Sequence, residues 1–398
     1  LIMSKSNETT PNVPTLRFKS FEQKWAYSTI GKCSMSLEYG MNAAAVKYDG
    51  KHKYIRITDI DEETSAFVPN PLSSPDGEFE QKYLVKENDI LFARTGASVG
   101  KSYLYNPNDG ELYFAGFLIR ARIKPEYNGT FIYYQTKSKK YDKWVKLTSM
   151  RSGQPGINSQ EYSGYPIAIT GKVEQDKIAD FLQVIDNRIA VQNKIISKYE
   201  TLIKGISNHL LCKIEDCPTI KLSDILIEYN DKARQNNEYP ILSSTMNGIF
   251  VQSEYFNKQA ASEETVGYKK VPYGYCTYRS MSDTGEFRFN IQKIVGIGIV
   301  SPAYPVFTSV EYDMRFIAFY LNNSARLRKQ ILEIKEGGTR FALPFSKLRN
   351  LTIPKITRLQ QTKIVDIYCL FSRKKELEQR FLLKLKEQKD YLLSKMFI

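Results

Sequence analysis

The stretch Arg94-Thr95-Gly96-Ala97-Ser98-Val99-Gly100-Lys101-Ser102 sets two glycines, a lysine and a serine in the order of a phosphate-cradling loop. Such a loop needs four residues between its glycines, and only Ala97, Ser98 and Val99 stand here, so the nucleotide reading fails. What remains is an arginine, a polar turn and a glycine after a β-like run, which suits an ordinary turn or a loop presented to DNA. Methyl transfer to exocyclic amines calls for an Asn-Pro-Pro or Asp-Pro-Pro signature, and Asn70-Pro71-Leu72 and Asn106-Pro107-Asn108 do not supply one. Gly296-Ile297-Gly298 lacks the third glycine and following helix of a dinucleotide fingerprint. The carboxylates of Asp59-Ile60-Asp61-Glu62-Glu63 sit in a charged segment with no matching copy in the other half and read as a solvated loop lacking a basic partner. With only His52 and His209, and five scattered cysteines, neither a zinc site nor a Ser/His or Cys/His catalytic set can be assembled. The odd cysteine count also argues against a disulfide framework and for a reducing, cytoplasmic setting. The residues therefore describe a binder with no reaction, metal or cofactor of its own.

The elements that would position such a binding surface come twice. Phe131-Ile132-Tyr133-Tyr134 returns as Phe316-Ile317-Ala318-Phe319, Arg94 and Gly100 return as Arg279 and Gly285, and Ser152-Gly153 returns as Gly337-Gly338, all at a spacing of 185. After one inserted residue, Glu174-Gln175-Asp176-Lys177-Ile178 is answered by Gln360-Gln361-Thr362-Lys363-Ile364 at a spacing of 186. Self-similarity at fixed spacing means one structural unit used twice, and this unit is a whole domain with its connector. Two copies in one chain make a pseudo-dimer that can engage two unequal targets.

The net charge of +14, from 57 Lys and Arg against 43 Asp and Glu, favours polyanions. The 27 Tyr and 21 Phe offer stacking surfaces and hydroxyls, although aromatics in β-rich domains serve mostly as core. No apolar run approaches the roughly 18 residues needed to span a bilayer, so no membrane partner is expected. An N-terminal segment, residues 1–20, precedes a β-rich domain over residues 21–170, which includes Tyr54-Ile55-Arg56-Ile57-Thr58 and Asp89-Ile90-Leu91-Phe92-Ala93. Residues 171–212 then lack proline and place apolar side chains in steps of three and four: Ile178, Leu182, Ile185, Ile189, Ile196, Tyr199 and Ile203, interrupted by Gln192. A second β-rich domain over residues 218–356 leads to a second helix over residues 357–398, through Ile364, Phe371, Leu382, Leu385 and Leu392. Its apolar stripe is less clean, because Lys375, Glu378 and Lys389 fall on it. Each helix either packs on its own domain or pairs with the other; the repeat favours antiparallel pairing of the two.

Two β-rich domains, each followed by a long helix opening with Glu174-Gln175-Asp176-Lys177-Ile178-Ala179-Asp180-Phe181-Leu182 or Gln360-Gln361-Thr362-Lys363-Ile364-Val365-Asp366-Ile367-Tyr368, resemble the DNA specificity subunit of Type I restriction-modification systems. Gly153-Gln154-Pro155-Gly156-Ile157-Asn158, Leu351-Thr352-Ile353-Pro354, and the opening Pro14-Thr15-Leu16-Arg17-Phe18 with Trp25 resemble that family as well. Arg340-Phe341 departs from it where the first copy has Pro155-Gly156. The resemblance implies an α+β fold of two similar target recognition domains, of mixed β-rich α/β character, separated by two long antiparallel coiled-coil helices. It implies a non-catalytic subunit whose domains read the halves of a bipartite site in double-stranded DNA. The helices would set the spacing and dock two modification subunits that methylate adenine. S-adenosylmethionine, ATP and Mg would belong to the modification and restriction subunits.

Positions near the mouth of each domain where the copies align are the candidate DNA contacts. In the first domain these are Tyr54, Arg56, Thr58, Arg94, Ser98, Lys101, Arg151 and Gln154. In the second they are Tyr239, Ser243, Ser244, Arg279, Ser280, Ser282, Thr339 and Arg340. Tyr54 and Tyr239 serve equally well as sheet residues. Two other classes stay open on the residues alone: an autonomous nucleotide- or S-adenosylmethionine-binding enzyme, and a coiled-coil scaffold without DNA specificity.

Overall fold

The computed structural model describes residues 2–3, 12–78, 80–150, 153–255, 264–334 and 341–398. The chain divides into two compact units, Leu1–Asn193 with Arg380–Ile398, and Lys194–Gln379. The first unit is built on strands β1 (Ala26–Thr29), β2 (Ser34–Tyr39), β3 (Asp89–Ala93), β4 (Ser102–Leu104), β5 (Leu118–Ile123) and β6 (Pro166–Ile169). Between β5 and β6 lie helices α1 (Gly129–Gln135), α2 (Lys139–Ser149) and α3 (Ser159–Gly164), and after β6 comes α4 (Lys172–Cys212). Four strands form an antiparallel sheet in the order β2-β5-β3-β4, and β1 pairs with β6.

Strand periodicity explains which way this sheet faces. In β5, Ile119, Ala121 and Ile123 enter the main core with Trp25, Phe92 and Phe131, whereas Leu118 points into a separate cluster on the other side. Arg120 and Arg122 alternate with them and are tolerated because Asp89, itself buried on β3, accepts from Arg122 Nε and Nη2 at 3.1 and 3.2 Å. Arg120 donates to Leu84 O at 3.0 Å and pairs with Glu38. A buried charge survives only with such partners.

The second unit repeats the plan with strands β7 (Thr219–Lys221), β8 (Ile227–Glu228), β9 (Cys276–Thr277), β10 (Asn290–Ile291), β11 (Val306–Thr308) and β12 (Thr352–Pro354). Its helices are α5 (Met314–Asn323), α6 (Ala325–Glu333), α7 (Phe345–Leu348) and α8 (Arg358–Met396). The antiparallel sheet runs β8-β11-β9-β10, and β7 pairs with β12 as β1 pairs with β6. The two halves therefore share one topology. What differs is the inserted material between the first and second strands of each sheet in chain order, β2 to β3 and β8 to β9.

At the base of each unit a buried glutamine ties the long helix to the helix that follows the sheet. Gln175 Oε1 accepts from Asn128 N at 2.9 Å while its Nε2 donates to Thr170 O at 2.7 Å. In the second unit Gln361 Oε1 accepts from Asp313 N at 2.8 Å and its Nε2 donates to Ile356 O at 3.1 Å. Asn128 and Asp313 are themselves the N-caps of α1 and α5. One polar side chain thus satisfies two backbone groups that burial would otherwise leave unpaired.

Both readings of the long helices hold at once. Ile178, Leu182 and Ile185 pack into the core of the first unit, and the end of α8, through Leu392, Leu393 and Met396, packs into that same core. Ile189 packs against it, and Leu385 is buried. In the second unit the end of α4, with Leu210 and Leu211, shares a core with the beginning of α8, with Ile364 and Val365. Each unit so joins the beginning of one long helix to the end of the other. Ile196 is buried, and Tyr199, Ile203, Phe371 and Leu382 are half-buried along the same stripes. The lysines that break the second stripe meet acids of the first helix: Lys389 Nζ lies 2.5 Å from Asp186 Oδ1, and Lys375 Nζ lies 3.8 Å from Glu200 Oε1. Among the described residues no helix is long and apolar enough to cross a membrane.

Candidate nucleic-acid interface

At the far end of the first sheet from α4, β3 delivers its chain into the turn that opens at Arg94. This turn is clamped by the segment leading into α3. Ile157 N donates to Arg94 O at 2.9 Å, Gly96 N donates to Pro155 O at 3.0 Å, and Thr95 bridges Gly156. Gly96 has φ +70, where a side chain is strained, and the space a Cβ would take lies 3.1 Å from Gln154 Nε2. Arg94, Ser98 and Gln154 are thereby brought to one edge, with Gln154 exposed and the other two half-buried. Lys101 closes the turn and lies 3.8 Å from Glu62.

The Arg94 guanidinium lies over the Tyr39 ring, 4.8 Å from its centroid, and its Nη1 donates to Gly116 O at 3.4 Å. Tyr39 is held in turn by Ser159: its side chain first, and its N, which donates to the Tyr39 hydroxyl at 3.2 Å, draw that hydroxyl below the usual tyrosine range. Tyr39 was not among the sequence candidates. It ends a strand that has no local motif, and only the β2-β5-β3 order carries it to Arg94. Gly40 follows it where the backbones touch: a Cβ there would sit 2.3 Å from Ala115 O and 2.4 Å from Phe114 O. Gly40→Ala should therefore lower the unfolding free energy by about 1–3 kcal/mol. Chemical denaturation showing no loss would mean that this junction is not closely packed.

Three first-domain candidates lie elsewhere. Tyr54 is 1% exposed, and its hydroxyl donates to Met41 O and Ala43 O at 3.0 and 3.1 Å, with burial pushing its ionisation up. It is a core residue, which settles the choice between sheet and contact. Arg56 commits its guanidinium to Asp59, with Nε and Nη2 each at 2.8 Å, and Thr58 stands exposed beside that pair. Asp59 is accordingly a buried ion-pair partner and not part of a wholly solvated acidic loop. Arg151 lies outside the described residues.

In the second unit, Leu343 N donates to Ser280 O at 2.8 Å, as Ile157 N donates to Arg94 O. This bond places Ser280, not Arg279, at the position of Arg94. Tyr278, buried in the core as Phe92 is, agrees with that offset of 186. Arg279 is exposed on the opposite face, where the first unit has the buried Ala93. A slip of one residue in a strand turns every side chain over, so the match at 185 paired residues that point apart. Ser280 Oγ donates to Ala303 O at 2.8 Å, and Ser282 faces Phe341 across a short strand pair. Ser244, expected to contact DNA, is instead buried, donating to Thr277 O at 3.2 Å and accepting from Asn290 Nδ2 at 2.9 Å, so it has no surface to offer a ligand. Ser243 is half-buried in a hairpin, and Tyr239 lies half-buried under Lys270 Nζ, 5.4 Å from its ring centroid. Thr339 and Arg340 lie outside the described residues.

Residues 41–201 match the family model for the Type I restriction modification DNA specificity domain. The whole chain is similar in fold to the crystal structure of a Type-I restriction-modification system S subunit from M. genitalium, with TM-score 0.62 and 17% identity over 97% of this chain and 99% of that one. It is also similar to a chain from a structure described as the basis of complex assembly and conformational transition of the type I R-M system, with TM-score 0.55 and 13% identity over 94% of this chain and 97% of that one.

Proposed function

We propose, from the match of residues 41–201 to the Type I restriction modification DNA specificity domain, that this chain is the subunit that selects the DNA sequence in such a complex. Each unit reads one half of a bipartite, asymmetric site in double-stranded DNA. The long helices set the spacing between halves and dock two modification subunits, which methylate adenine, with restriction subunits joining them. The chain contributes recognition and no catalysis; S-adenosylmethionine, ATP and Mg are used by its partners, in the cytoplasm. The observation that carries this reading is the repeated strand order with a polar turn in the same clamp, Arg94 under Ile157 and Ser280 under Leu343. Two such readers of unlike sequence suit two unlike half-sites, and the net charge of +14 suits the phosphates between them.

The test is to co-express the chain with the modification subunits, purify the complex, and map methylated adenines in host DNA by long-read sequencing. A bipartite methylated motif is the expected result. A confirmed complex that methylates no bipartite motif would overturn the reading. Within that motif, Arg94→Ala should weaken specific binding by roughly 5- to 150-fold, the range of about 1–3 kcal/mol for one base contact, and relax a single half. Competition binding with both halves varied separately checks this, and equal relaxation of the two halves would count against it.

A further inference from the structure

Phe117 immediately precedes β5 and is 59% exposed, although the strand behind it, Leu118 and Ile119, is wholly buried. It stands directly across from Arg94: Arg94 N donates to Phe117 O at 3.0 Å, continuing the register in which Leu118 faces Ala93 and Ile119 faces Phe92. Residues opposite one another in an antiparallel pair share a face of the sheet. On the other flank of β5, Tyr39 faces Ile119, so it lies on that face as well and is 42% exposed. The result is an arginine stacked on one aromatic ring with a second aromatic ring beside it, at the rim of the sheet. The backbone beneath is rigid, because Gly116 N donates to Met41 O at 2.7 Å and Gly40 leaves no room for a side chain. An exposed phenylalanine held on so stiff a turn is a preorganised apolar contact.

We infer that Phe117 is a specificity-determining contact of the first unit, packing on the C5-methyl group of a thymine adjacent to the base read by Arg94. This rests on the DNA-reading function proposed above and names the chemistry of one of its contacts. In the major groove an arginine offers paired donors to guanine O6 and N7, and thymine alone presents a methyl group that an apolar side chain can cover. Tyr39 acts as a positioning residue: its ring holds the guanidinium flat and limits the orientations in which Arg94 reaches a base.

The experiment uses the complex of this chain with its modification subunits and duplexes carrying the methylated motif of the wild type. The half relaxed by Arg94→Ala identifies the one read by the first unit, and each dT in it is replaced in turn by dU, which removes only the methyl group. Wild type is expected to lose roughly tenfold in affinity at one such position. Phe117→Ala is expected to lose a similar factor on the unaltered duplex and to show no further loss with dU there. Phe117→Leu, which keeps an apolar surface, should retain most of the discrimination. A half-site with no thymine beside the Arg94 position, or Phe117→Ala keeping the full sensitivity to dU while folded, overturns the inference and leaves the proposed function intact. A wild-type complex with no bipartite motif sinks both.

Discussion

Leu182→Ala lowers the unfolding free energy of the chain by about 2–5 kcal/mol, the cost of removing a buried leucine and leaving a cavity. Leu182 is 0% exposed and belongs to a core that also holds Trp25, Phe131 and, from the end of α8, Met396. The side chain thus joins the sheet domain to two helical segments, and no single neighbour can shift to refill the space. Leu202→Ala on the same helix is the control, because Leu202 is 45% exposed and belongs to no core cluster, so its loss should cost well under that of Leu182→Ala, about 1 kcal/mol or less. Denaturant titration followed by circular dichroism reads both. A cost below about 1 kcal/mol for Leu182→Ala would mean that the beginning of α4 is not seated in that core.

Gln175→Ala and Gln361→Ala each destabilise by about 3 kcal/mol, because each strands a buried N–H and a buried carbonyl and empties the volume of the side chain. The two variants should behave alike, since the geometry around them is the same: an N-cap residue's N–H on one side and the carbonyl five residues earlier on the other. They lie in different units, so the double variant should lose the sum within a few tenths of a kcal/mol, as distant sites do. Gln360→Ala removes only the exposed half of a capping box with Thr357 and should cost about 1 kcal/mol. A Gln361→Ala variant no worse than Gln360→Ala would show that the second unit does not use this lock.

The importance of Gln175 and Gln361 lay half in view. Their shared place after the turn into each long helix was legible from the repeat, but nothing in the chain says that their side chains fold back onto Asn128 and Asp313, which lie 47 and 48 residues away. The seam of α4 was readable because a helix puts residues three and four apart on one face whatever surrounds it. Even Lys375 and Lys389 could be placed on the stripe of α8, but not their acidic partners Glu200 and Asp186, which a second helix supplies. Tyr54 went the other way. On sequence it served equally as a contact or a sheet residue, and the fold buried it with its hydroxyl on Met41 O and Ala43 O.

From residue order alone came the duplicated module, the two long helices and the turn at Arg94, all properties set by spacings along the chain. The tertiary structure decided which side chains share a surface: it moved the counterpart of Arg94 from Arg279 to Ser280 and set Tyr39 and Phe117 around Arg94. The physical reason is that strand pairing fixes facing residue by residue. An offset of one, invisible in a weak repeat, exchanges inside for outside.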